Sequence, residues 1–261
     1  RRHATSFQGD GRDAVASSFR DNPAMPSIRM VGFDADDTLW RSQDWFDQAQ
    51  RDFEAIIARY VNGDARTSER LYAVEKANLA VFGYGVKGMA LSMIESAIDI
   101  TGGRISAADV HRIVALAKDL LRHPVELLPG VREAVEAVAR EFPVVLITKG
   151  DLFHQEAKVR ESGMSSLFRR IEIVSEKDVP TYRRLLEEFG IAPGEFVMVG
   201  NSLRSDIAPV LELGGWGLHL PYHLTWEHER EASLAEGAAA RMRTLDSAAG
   251  LPDALRAILA A

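Results

Sequence analysis

Three carboxylates fall within four residues in the stretch Phe33-Asp34-Ala35-Asp36-Asp37-Thr38. An apolar run at residues 28–33 precedes them and predicts a buried strand that ends at Asp34. Asp34 and Asp36 are two residues apart, so on an extended chain their side chains point to the same side. One carboxylate could then act as a nucleophile and the other as a proton donor. The alternative is a solvated turn in which Thr38 caps a helix.

Two later apolar runs end in groups that suit phosphate. Thr148 ends one of them, and Lys149 and Gly150 follow. The Thr148 hydroxyl and the backbone amides that Gly150 leaves accessible can bind phosphate oxygens. Lys177 comes just after another run, and its ammonium can neutralise a phosphate and a nucleophilic carboxylate together. We therefore assign substrate binding to Thr148, Lys149 and Lys177.

An amide and a carboxylate follow a fourth apolar run, at residues 196–199. Asn201 and Asp206 offer the oxygen ligands that magnesium prefers. The carboxyl ends of parallel strands meet at one edge of a sheet, where open α/β folds bind ligands. Three carboxylates crowded at that edge repel one another unless a cation lies among them. The sequence therefore predicts a magnesium site.

Strand and helix patterns alternate in the second half of the chain. Helical patterns and short runs rich in Val, Ile and Phe follow one another. Such runs are typical of parallel strands that are buried on both faces. The pattern predicts an α/β fold with a Rossmann-like parallel sheet core. The predicted strands after the first are residues 144–148, 171–174, 196–199 and 216–220, and the predicted helices are 131–140, 153–161 and 181–189.

No strand pattern appears between residues 41 and 128. A connection of this length indicates an inserted domain, because most connections between a strand and a helix are short. Apolar residues at three- and four-residue spacing predict four helices in it, at residues 43–60, 68–82, 87–100 and 107–121. We predict an inserted α-helical bundle cap domain that covers the carboxyl edge of the sheet.

The predicted boundaries follow from these patterns. Residues 25–43 and 124–261 form the α/β core, and residues 44–123 form the helical cap. Residues 1–24 lack apolar periodicity, and we expect a mobile N-terminal extension before a natural start at Met25. The end of the core is predicted as a strand or loop from residue 245 and then a short helix near Pro252.

In order and spacing, the motifs are similar to those of the haloacid dehalogenase-like hydrolase superfamily. The family pattern opens with Asp-x-Asp-x-Thr-Leu after a strand, which is matched by Asp34, Asp36, Thr38 and Leu39. It continues with a hydroxyl residue, a Lys and a Gly-Asp pair with a further Asp, matched by Thr148, Lys177, Gly200, Asn201 and Asp206. The resemblance covers about residues 25–220. Asn in place of the first Asp of the last motif puts the metal affinity in question, although an amide oxygen can still bind magnesium.

The resemblance implies a magnesium-dependent phosphatase. Asp34 would attack phosphorus and form an aspartyl-phosphate. Asp36 would protonate the leaving oxygen and then deprotonate the hydrolytic water. Mg²⁺ would be held by the Asp34 side chain, the Asp36 backbone carbonyl, Asn201 and Asp206. Lys177 and the cation would offset the charge on the transferring group.

The expected substrate is a small phosphorylated metabolite, and three alternatives stay open. The first is a haloacid dehalogenase, which Asp36 disfavours because dehalogenases of the family generally lack the second Asp and need no metal. The second is a phosphomutase, which keeps the same motifs and differs in its product. The third is a non-catalytic protein that binds a phosphorylated metabolite, which the complete set Asp34, Asp36, Thr148 and Lys177 disfavours.

Two features outside the motifs carry further hypotheses. Lys87 lies in a glycine-rich turn between two predicted cap helices. It is either a solvated loop residue or part of a cap loop that contacts the non-phosphate portion of the substrate. His219, His223 and His228 have the spacing of metal ligands, but the aromatic residues around them favour packing of a surface helix or a dimer contact over a zinc site.

Composition narrows the class of protein. The 261 residues are 46% hydrophobic and carry a net charge of −7, with no pronounced basic patch, which disfavours a nucleic-acid partner. No apolar run approaches the length of a membrane span. The chain has no Cys, which excludes disulfides and thiolate chemistry and fits a reducing compartment. We expect a cytoplasmic protein that does not bind a membrane, with a homodimer as one option for its oligomeric state.

Overall fold

A six-stranded parallel sheet forms the centre of the computed structural model, which describes residues 27–61, 66–230 and 238–260. The order of the strands is β3-β2-β1-β4-β5-β6, and all neighbouring pairs are parallel. The predicted α/β class is therefore confirmed. The strands are β1 (Met30–Phe33), β2 (Val144–Lys149), β3 (Arg170–Val174), β4 (Phe196–Gly200), β5 (Trp216–His219) and β6 (Met242–Thr244).

Ten α-helices surround the sheet or follow it in the described part of the chain. The strands β1 and β4 are apolar along their whole length and fully buried, as expected where helices cover both faces of a parallel sheet. The helices are α1 (Gln43–Ile57), α2 (Thr67–Phe82), α3 (Val86–Thr101), α4 (Ala107–Arg122), α5 (Val131–Glu141), α6 (Leu152–Glu161), α7 (Val179–Phe189), α8 (Ala208–Glu212), α9 (Glu227–Arg230) and α10 (Leu251–Leu259).

Two apolar clusters lie on the opposite faces of the sheet. One contains Val135 of α5 and Leu255 of α10. The other contains Leu185 of α7 and Val210 of α8. Because alternate side chains of β1, β2 and β4 enter opposite clusters, the sheet is anchored on both faces and its carboxyl edge becomes a rigid support.

The four helices that follow β1 have an apolar cluster of their own. It is centred on Phe53, Leu71, Met93 and Ile113, which are at most 1% exposed. These helices are the predicted cap bundle. The predicted domain boundary at residue 44 falls one residue inside α1, and the boundaries themselves stay a prediction.

Two antiparallel connections join the cap helices to the sheet. Trp40 forms an isolated bridge with Leu127, and the Leu128 amide donates to the Leu39 carbonyl at 2.9 Å. The Arg41 amide donates to the Glu126 carbonyl, also at 2.9 Å. Pairing of the outgoing and returning chain fixes where the bundle stands relative to Asp34.

The two ends of the chain bear on further predictions. The predicted extension at residues 1–24 lies outside the described residues. The predicted C-terminal helix is present as α10, with Pro252 in its first turn. The strand before it is β6, which lies a few residues earlier than the strand or loop predicted from residue 245. Among residues 27–61, 66–230 and 238–260, no helix is long and apolar enough to cross a membrane.

Candidate active site

The predicted catalytic residues lie where the strand order reverses. The chain places β2 and β3 on one side of β1 and then returns to place β4 on the other. Ligand sites of open α/β sheets form at the carboxyl ends of strands beside such a reversal. Asp34 follows β1 and Asn201 follows β4, and the Asp34 amide donates to the Val199 carbonyl at 2.9 Å. The sheet thereby brings the first and last motifs together.

Lys177 connects two buried carboxylates at this edge. Its ammonium donates to Asp206 Oδ1 at 2.7 Å and also to Asp34 Oδ1. Thr38 Oγ1 donates to Asp34 Oδ2 at 2.7 Å. The side chains of Lys177, Asp34 and Asp206 are 2%, 8% and 1% exposed. Two carboxylates thus share one ammonium away from water.

The charges of this group perturb one another. Burial raises the pKa of Asp206 to about 7, with the charge of Asp34 acting in the same direction and Lys177 opposing it. Burial alone would lower the pKa of Lys177, but the two carboxylates outweigh it and raise that pKa. The site therefore holds more negative charge than its own ammonium neutralises, and a further cation there would be stabilised.

Asp36 has a separate set of partners, two of which lie on the core helix α6. Its Oδ1 accepts hydrogen bonds from Lys158 Nζ at 2.5 Å and Trp40 Nε1 at 2.7 Å, and its Oδ2 accepts one from Gln155 Nε2 at 2.9 Å. Burial works to raise the pKa of Asp36, but the ion pair with Lys158 and the hydrogen bonds together lower it. Asp36 is therefore a charged proton acceptor at neutral pH in this conformation.

Asp37 positions the start of the cap. Its φ angle of 63° is left-handed, which is unusual for a residue other than Gly. Its carboxylate accepts hydrogen bonds from the amides of Ser42 at 2.8 Å and Gln43 at 3.0 Å, which are unpaired donors at the beginning of α1. Burial raises the pKa of Asp37 to about 7 despite these bonds. Thr38 contacts Asp34 instead of capping a helix, so the solvated-turn alternative is wrong.

Thr148 lies at the site, and Lys149 beside it has its charge neutralised by the protein. The Thr148 side chain accepts a hydrogen bond from Gln155 Nε2 at 3.0 Å. Lys149 Nζ donates to Glu229 at 2.6 Å and Ser205 at 2.9 Å. Burial opposes ionisation of Glu229, but Lys149 outweighs it and lowers the pKa of Glu229 to about 2. Binding of a substrate phosphate by Lys149 stays a prediction, and it would require these bonds to be shared.

A cavity of about 210 Å³ lies between the sheet edge and the cap. Both Asp34 and Asp36 line it, as do Thr148, Lys149 and Lys177. The structure thus brings together every predicted catalytic residue. From the cap it is lined by side chains of α1, α2 and α3, among them Phe46, Gln50, Glu75, Asn78, Leu79, Met89, Ser92 and Met93.

The glycine-rich turn of the cap contacts the core beside this cavity. Tyr84 donates to Glu176 at 2.7 Å, and Lys149 Nζ lies 4.2 Å from the centre of the Tyr84 ring. Lys87 is not among the cavity-lining residues, and both oxygens of Asp151 accept hydrogen bonds from its Nζ at 2.9 Å. Contact of Lys87 with a substrate stays a prediction, whereas the turn itself reaches the site.

The three histidines have different partners. His219 Nε2 lies 3.0 Å from the Asn201 carbonyl oxygen, and His223 Nε2 lies 3.0 Å from Asp44 Oδ1. His228 packs against Trp226, with ring centres 5.0 Å apart. Within the described residues, His, Cys, Asp and Glu form no group of three suited to a metal ion. The aromatic packing favoured by the sequence is thus what surrounds His228.

The magnesium set predicted from sequence is of another kind, because it combines carboxylates with an amide and a carbonyl. Asp34, Asp206 and Asn201 all line the cavity. Asn201 donates its backbone amide to Thr38 Oγ1 at 3.0 Å, and its Oδ1 lies 3.2 Å from the same oxygen, which joins Asn201 to the Asp34 group. All the atoms that could bind a metal are oxygens. Their total negative charge exceeds the positive charge of the Lys177 ammonium. These residues fit a hard divalent cation.

Gly200 provides a test of how closely Asp206 must be placed. A Cβ atom at position 200 would lie 2.3 Å from Asp206 Oδ2, so Gly200→Ala must displace that carboxylate. We expect a loss of activity of about 10- to 100-fold, as when a group that orients a metal ligand is removed. Gly32→Ala is the control, because its Cβ would lie 2.5 Å from the Phe196 ring and disturb the core instead.

The two variants separate stability from chemistry. Both overpack a buried strand and should destabilise the fold by about 1–3 kcal/mol. Turnover per folded molecule and thermal unfolding are measured for each. Equal turnover in Gly200→Ala and Gly32→Ala would show that the position of Asp206 does not matter.

The residues that form hydrogen bonds with the predicted site residues were not identified from the sequence. Gln155 and Lys158 on α6 both contact Asp36, and Glu229 contacts Lys149. Gln155 and Lys158 are three residues apart, so they lie on one face of a helix that directly follows the Thr148 strand. Their position after this strand could have indicated that they lie near the site. Polar residues at this spacing, however, more often form a solvated helix face.

Comparison with known proteins identifies the family. The model of haloacid dehalogenase-like hydrolases matches residues 28–214, which include all the motifs. The chain belongs to this hydrolase family and is an enzyme of the superfamily. No curated protein matches the chain.

Solved structures agree with this assignment. A haloacid dehalogenase-like family hydrolase from Xanthomonas campestris is 52% identical, with a TM-score of 0.80 over 90% of this chain and 93% of that chain. A 2-haloacid dehalogenase from Pseudomonas syringae pv. Tomato DC3000 is 21% identical, with a TM-score of 0.56 over 88% and 99% of the two chains. A protein described as a predicted phosphoglycolate phosphatase from Haemophilus somnus is 17% identical, with a TM-score of 0.55 over 87% and 98%. The last two share the fold at identities that carry no activity over.

Proposed function

We propose that the protein is a magnesium-dependent phosphatase that hydrolyses a small phosphorylated metabolite through an aspartyl-phosphate. The observation that carries this proposal is the presence of Asp36 in the wall of the same cavity as Asp34. Displacement of a halide from carbon needs a nucleophile but no proton for the leaving group. A second carboxylate, held in place by Lys158, Trp40 and Gln155, is the additional group that can supply the proton that release of an alkoxide requires.

The charge of the cavity supports the need for a cation. Among the described lining residues, Lys149 and Lys177 are the ammonium groups, whereas the carboxylates number six: Asp34, Asp36, Asp37, Glu75, Asp206 and Glu229. Asp37, Glu75 and Asp206, whose pKa values are raised to about 7, are only partly charged at neutral pH, but the remaining balance is still negative and would repel a phosphate dianion. A divalent cation at the oxygen ligands of Asp34, Asp206 and Asn201 would offset it.

The chain's own residues account for the covalent steps. An Asp34 oxygen attacks phosphorus as the bond from phosphorus to the leaving oxygen breaks, and the proton on Asp36 goes to that oxygen. A water then attacks the phosphorus of the aspartyl-phosphate, gives its proton to Asp36 and releases Asp34 and phosphate. Lys177 stabilises charge on the transferring group, and a Mg²⁺ ion held by Asp34, the Asp36 carbonyl, Asn201 and Asp206 would supply further charge neutralisation.

The structure favours the proton-accepting half of the Asp36 role. Its ion pair with Lys158 keeps the carboxylate charged, which suits activation of water. To donate a proton first, the carboxyl group must be protonated, and this requires substrate or metal binding to weaken the pair. The leaving-group dependence of the reaction tests that step.

The function is tested with p-nitrophenyl phosphate and 2-chloropropionate as parallel substrates. We expect release of phosphate that requires added Mg²⁺ and stops with a chelator, and no release of chloride. Release of chloride without Mg²⁺ would assign a dehalogenase. A panel of sugar phosphates analysed for isomers identifies a phosphomutase. Binding of phosphate esters without any product would favour a non-catalytic binding protein.

A further inference from the structure

Glu75 is an acidic residue of the cap wall that the catalytic scheme does not use. It lies on α2 and lines the cavity opposite the sheet edge. Among residues 27–61, 66–230 and 238–260, no side chain forms an ion pair or hydrogen bond with its carboxylate. Burial raises the pKa of Glu75 to about 7, and no nearby charge or hydrogen bond counteracts this effect. The protein therefore leaves this charge uncompensated.

The other carboxylates of the cavity all have partners. Asp34 and Asp206 share Lys177, Asp36 pairs with Lys158, and Glu229 pairs with Lys149. Asp37 accepts hydrogen bonds from two backbone amides. Among the carboxylates of the described cavity wall, Glu75 alone lacks a hydrogen-bond or ion-pair partner. Glu75 is half-buried, so its ionised form is costly without a partner, and a cationic ligand would stabilise that form.

The residues around Glu75 in the cap wall do not supply the missing partner. Leu79 lies one turn further along α2, and Met89 of α3 also lines the cavity. The polar neighbours have other partners. Asn78 donates to Ser92 at 3.1 Å and to Glu95 at 2.8 Å, and Ser92 donates to the Gly88 carbonyl. Leu79 and Met89 thus give the cap wall apolar surface in addition to the carboxylate, which suits the end of a ligand that carries a short alkyl chain and a positive charge.

We propose that Glu75 determines specificity by binding a cationic nitrogen on the leaving group, so that the preferred substrate is a small aminoalkyl phosphate ester. This inference rests on the proposed phosphatase function. The phosphate would lie at Asp34 and Lys177, and the ammonium would lie against Glu75 at the cap. The two charged ends of such a substrate would each find an opposite charge, because its phosphate would lie against Lys177 and its ammonium against the carboxylate of Glu75. A cavity of about 210 Å³ limits it to a small molecule.

The test compares esters that differ in one charged atom. The probes are 2-aminoethyl, 3-aminopropyl and 4-aminobutyl phosphate. Each is paired with the alkyl phosphate that has a methyl group in place of the ammonium and the same number of heavy atoms. We expect the wild-type protein to prefer the amino ester of one chain length in kcat/KM. Glu75→Gln should reduce the ratio of amino to alkyl ester by about 10- to 150-fold, the range expected for a hydrogen bond to a charged group. The loss should appear mainly in KM.

A matched control uses the same substitution on the same helix. Glu69 is on α2, its side chain is 72% exposed, and it pairs with Arg66 outside the cavity. Glu69→Gln should leave the ratio unchanged. Glu75→Asp should keep a preference for amino esters, with the preferred chain one methylene longer, because the carboxylate is retained on a shorter stem.

Three results would overturn the inference. The first is a wild-type protein that prefers alkyl over amino esters at every length. The second is a Glu75→Gln variant that loses activity equally on both members of each pair, which would mean a structural role. In both cases hydrolysis of p-nitrophenyl phosphate with Mg²⁺ by the wild-type protein shows that the phosphatase proposal stands. Absence of phosphate release from all the esters would overturn both proposals together.

Discussion

We expect Asp34→Asn to abolish turnover while the protein stays folded. The substitution keeps the shape of the side chain and its capacity to accept a hydrogen bond from Thr38, but it removes the charge that attacks phosphorus. Loss of a covalent nucleophile typically reduces kcat by about 10⁴- to 10⁶-fold. The structure adds a reason for the persistence of the fold, because Lys177 retains Asp206 as its partner at 2.7 Å. Phosphate release at saturating Mg²⁺ and the thermal unfolding curve are the measurements.

The control for this experiment removes a carboxylate charge elsewhere. Asp253→Asn changes the same chemical group on α10, where the side chain is 86% exposed. It should have the kcat of the wild-type protein. A second measurement is trapping of the intermediate, since brief reaction with a ³²P-labelled ester and acid quenching should label the wild-type protein and not Asp34→Asn. Labelling of Asp34→Asn to the same level would assign the nucleophile to another residue.

The strands β1 to β5 could be predicted because each of them contains a short apolar run, whereas β6, with Arg243 and Thr244, does not. The predicted runs at 144–148 and 196–199 differ from β2 and β4 by one residue at the carboxyl end. Those end residues are Lys149 and Gly200, whose types are atypical of a buried strand, so periodicity alone excludes them. Ladder hydrogen bonds to the neighbouring strands include them nevertheless.

The predicted site residues are at the ends of strands, and this explains why sequence patterns located them. Asp34, Thr148 and Asn201 adjoin apolar runs, and the parallel sheet brings those ends to one edge. Their partners could not be located in this way. Lys158 and Glu75 lie on helices whose orientation depends on tertiary packing, and in a single sequence each is indistinguishable from a solvated charge.

The turn after Asp34 shows a different limit of prediction from sequence, which concerns the direction of side chains. The expectation that Asp34 and Asp36 share one side came from an extended chain, but β1 ends at Phe33 and Asp37 is left-handed. The two carboxylates line one cavity with different partners, Lys177 for Asp34 and Lys158 for Asp36. Their electrostatic environments therefore diverge, which is the condition for separate roles as nucleophile and acid–base group.

Asp36→Asn is expected to slow hydrolysis of alkyl phosphates by about 10²- to 10⁴-fold, the range typical of a lost general acid–base group. The pattern across substrates is more informative than the size. An alkoxide is a strong base and leaves slowly without a proton, whereas p-nitrophenolate leaves readily. The first step should therefore survive with p-nitrophenyl phosphate, and the second step should fail because no base activates water. Rapid mixing should then show a burst of p-nitrophenolate equal to the enzyme concentration, followed by slow turnover.

The burst separates the two roles of Asp36 that the ion pair with Lys158 makes distinct. If Asp36 acts as a base towards water, as its charged state in this conformation favours, the aspartyl-phosphate on Asp34 accumulates in Asp36→Asn and can be trapped by acid. If its role is protonation of the leaving group alone, p-nitrophenyl phosphate is hydrolysed at nearly the wild-type rate without a burst. Equal losses on alkyl and aryl esters, with no burst, would contradict both roles and reduce Asp36 to a residue that positions Trp40 and Lys158. Asp253→Asn again serves as the control and should show the wild-type time course with both esters.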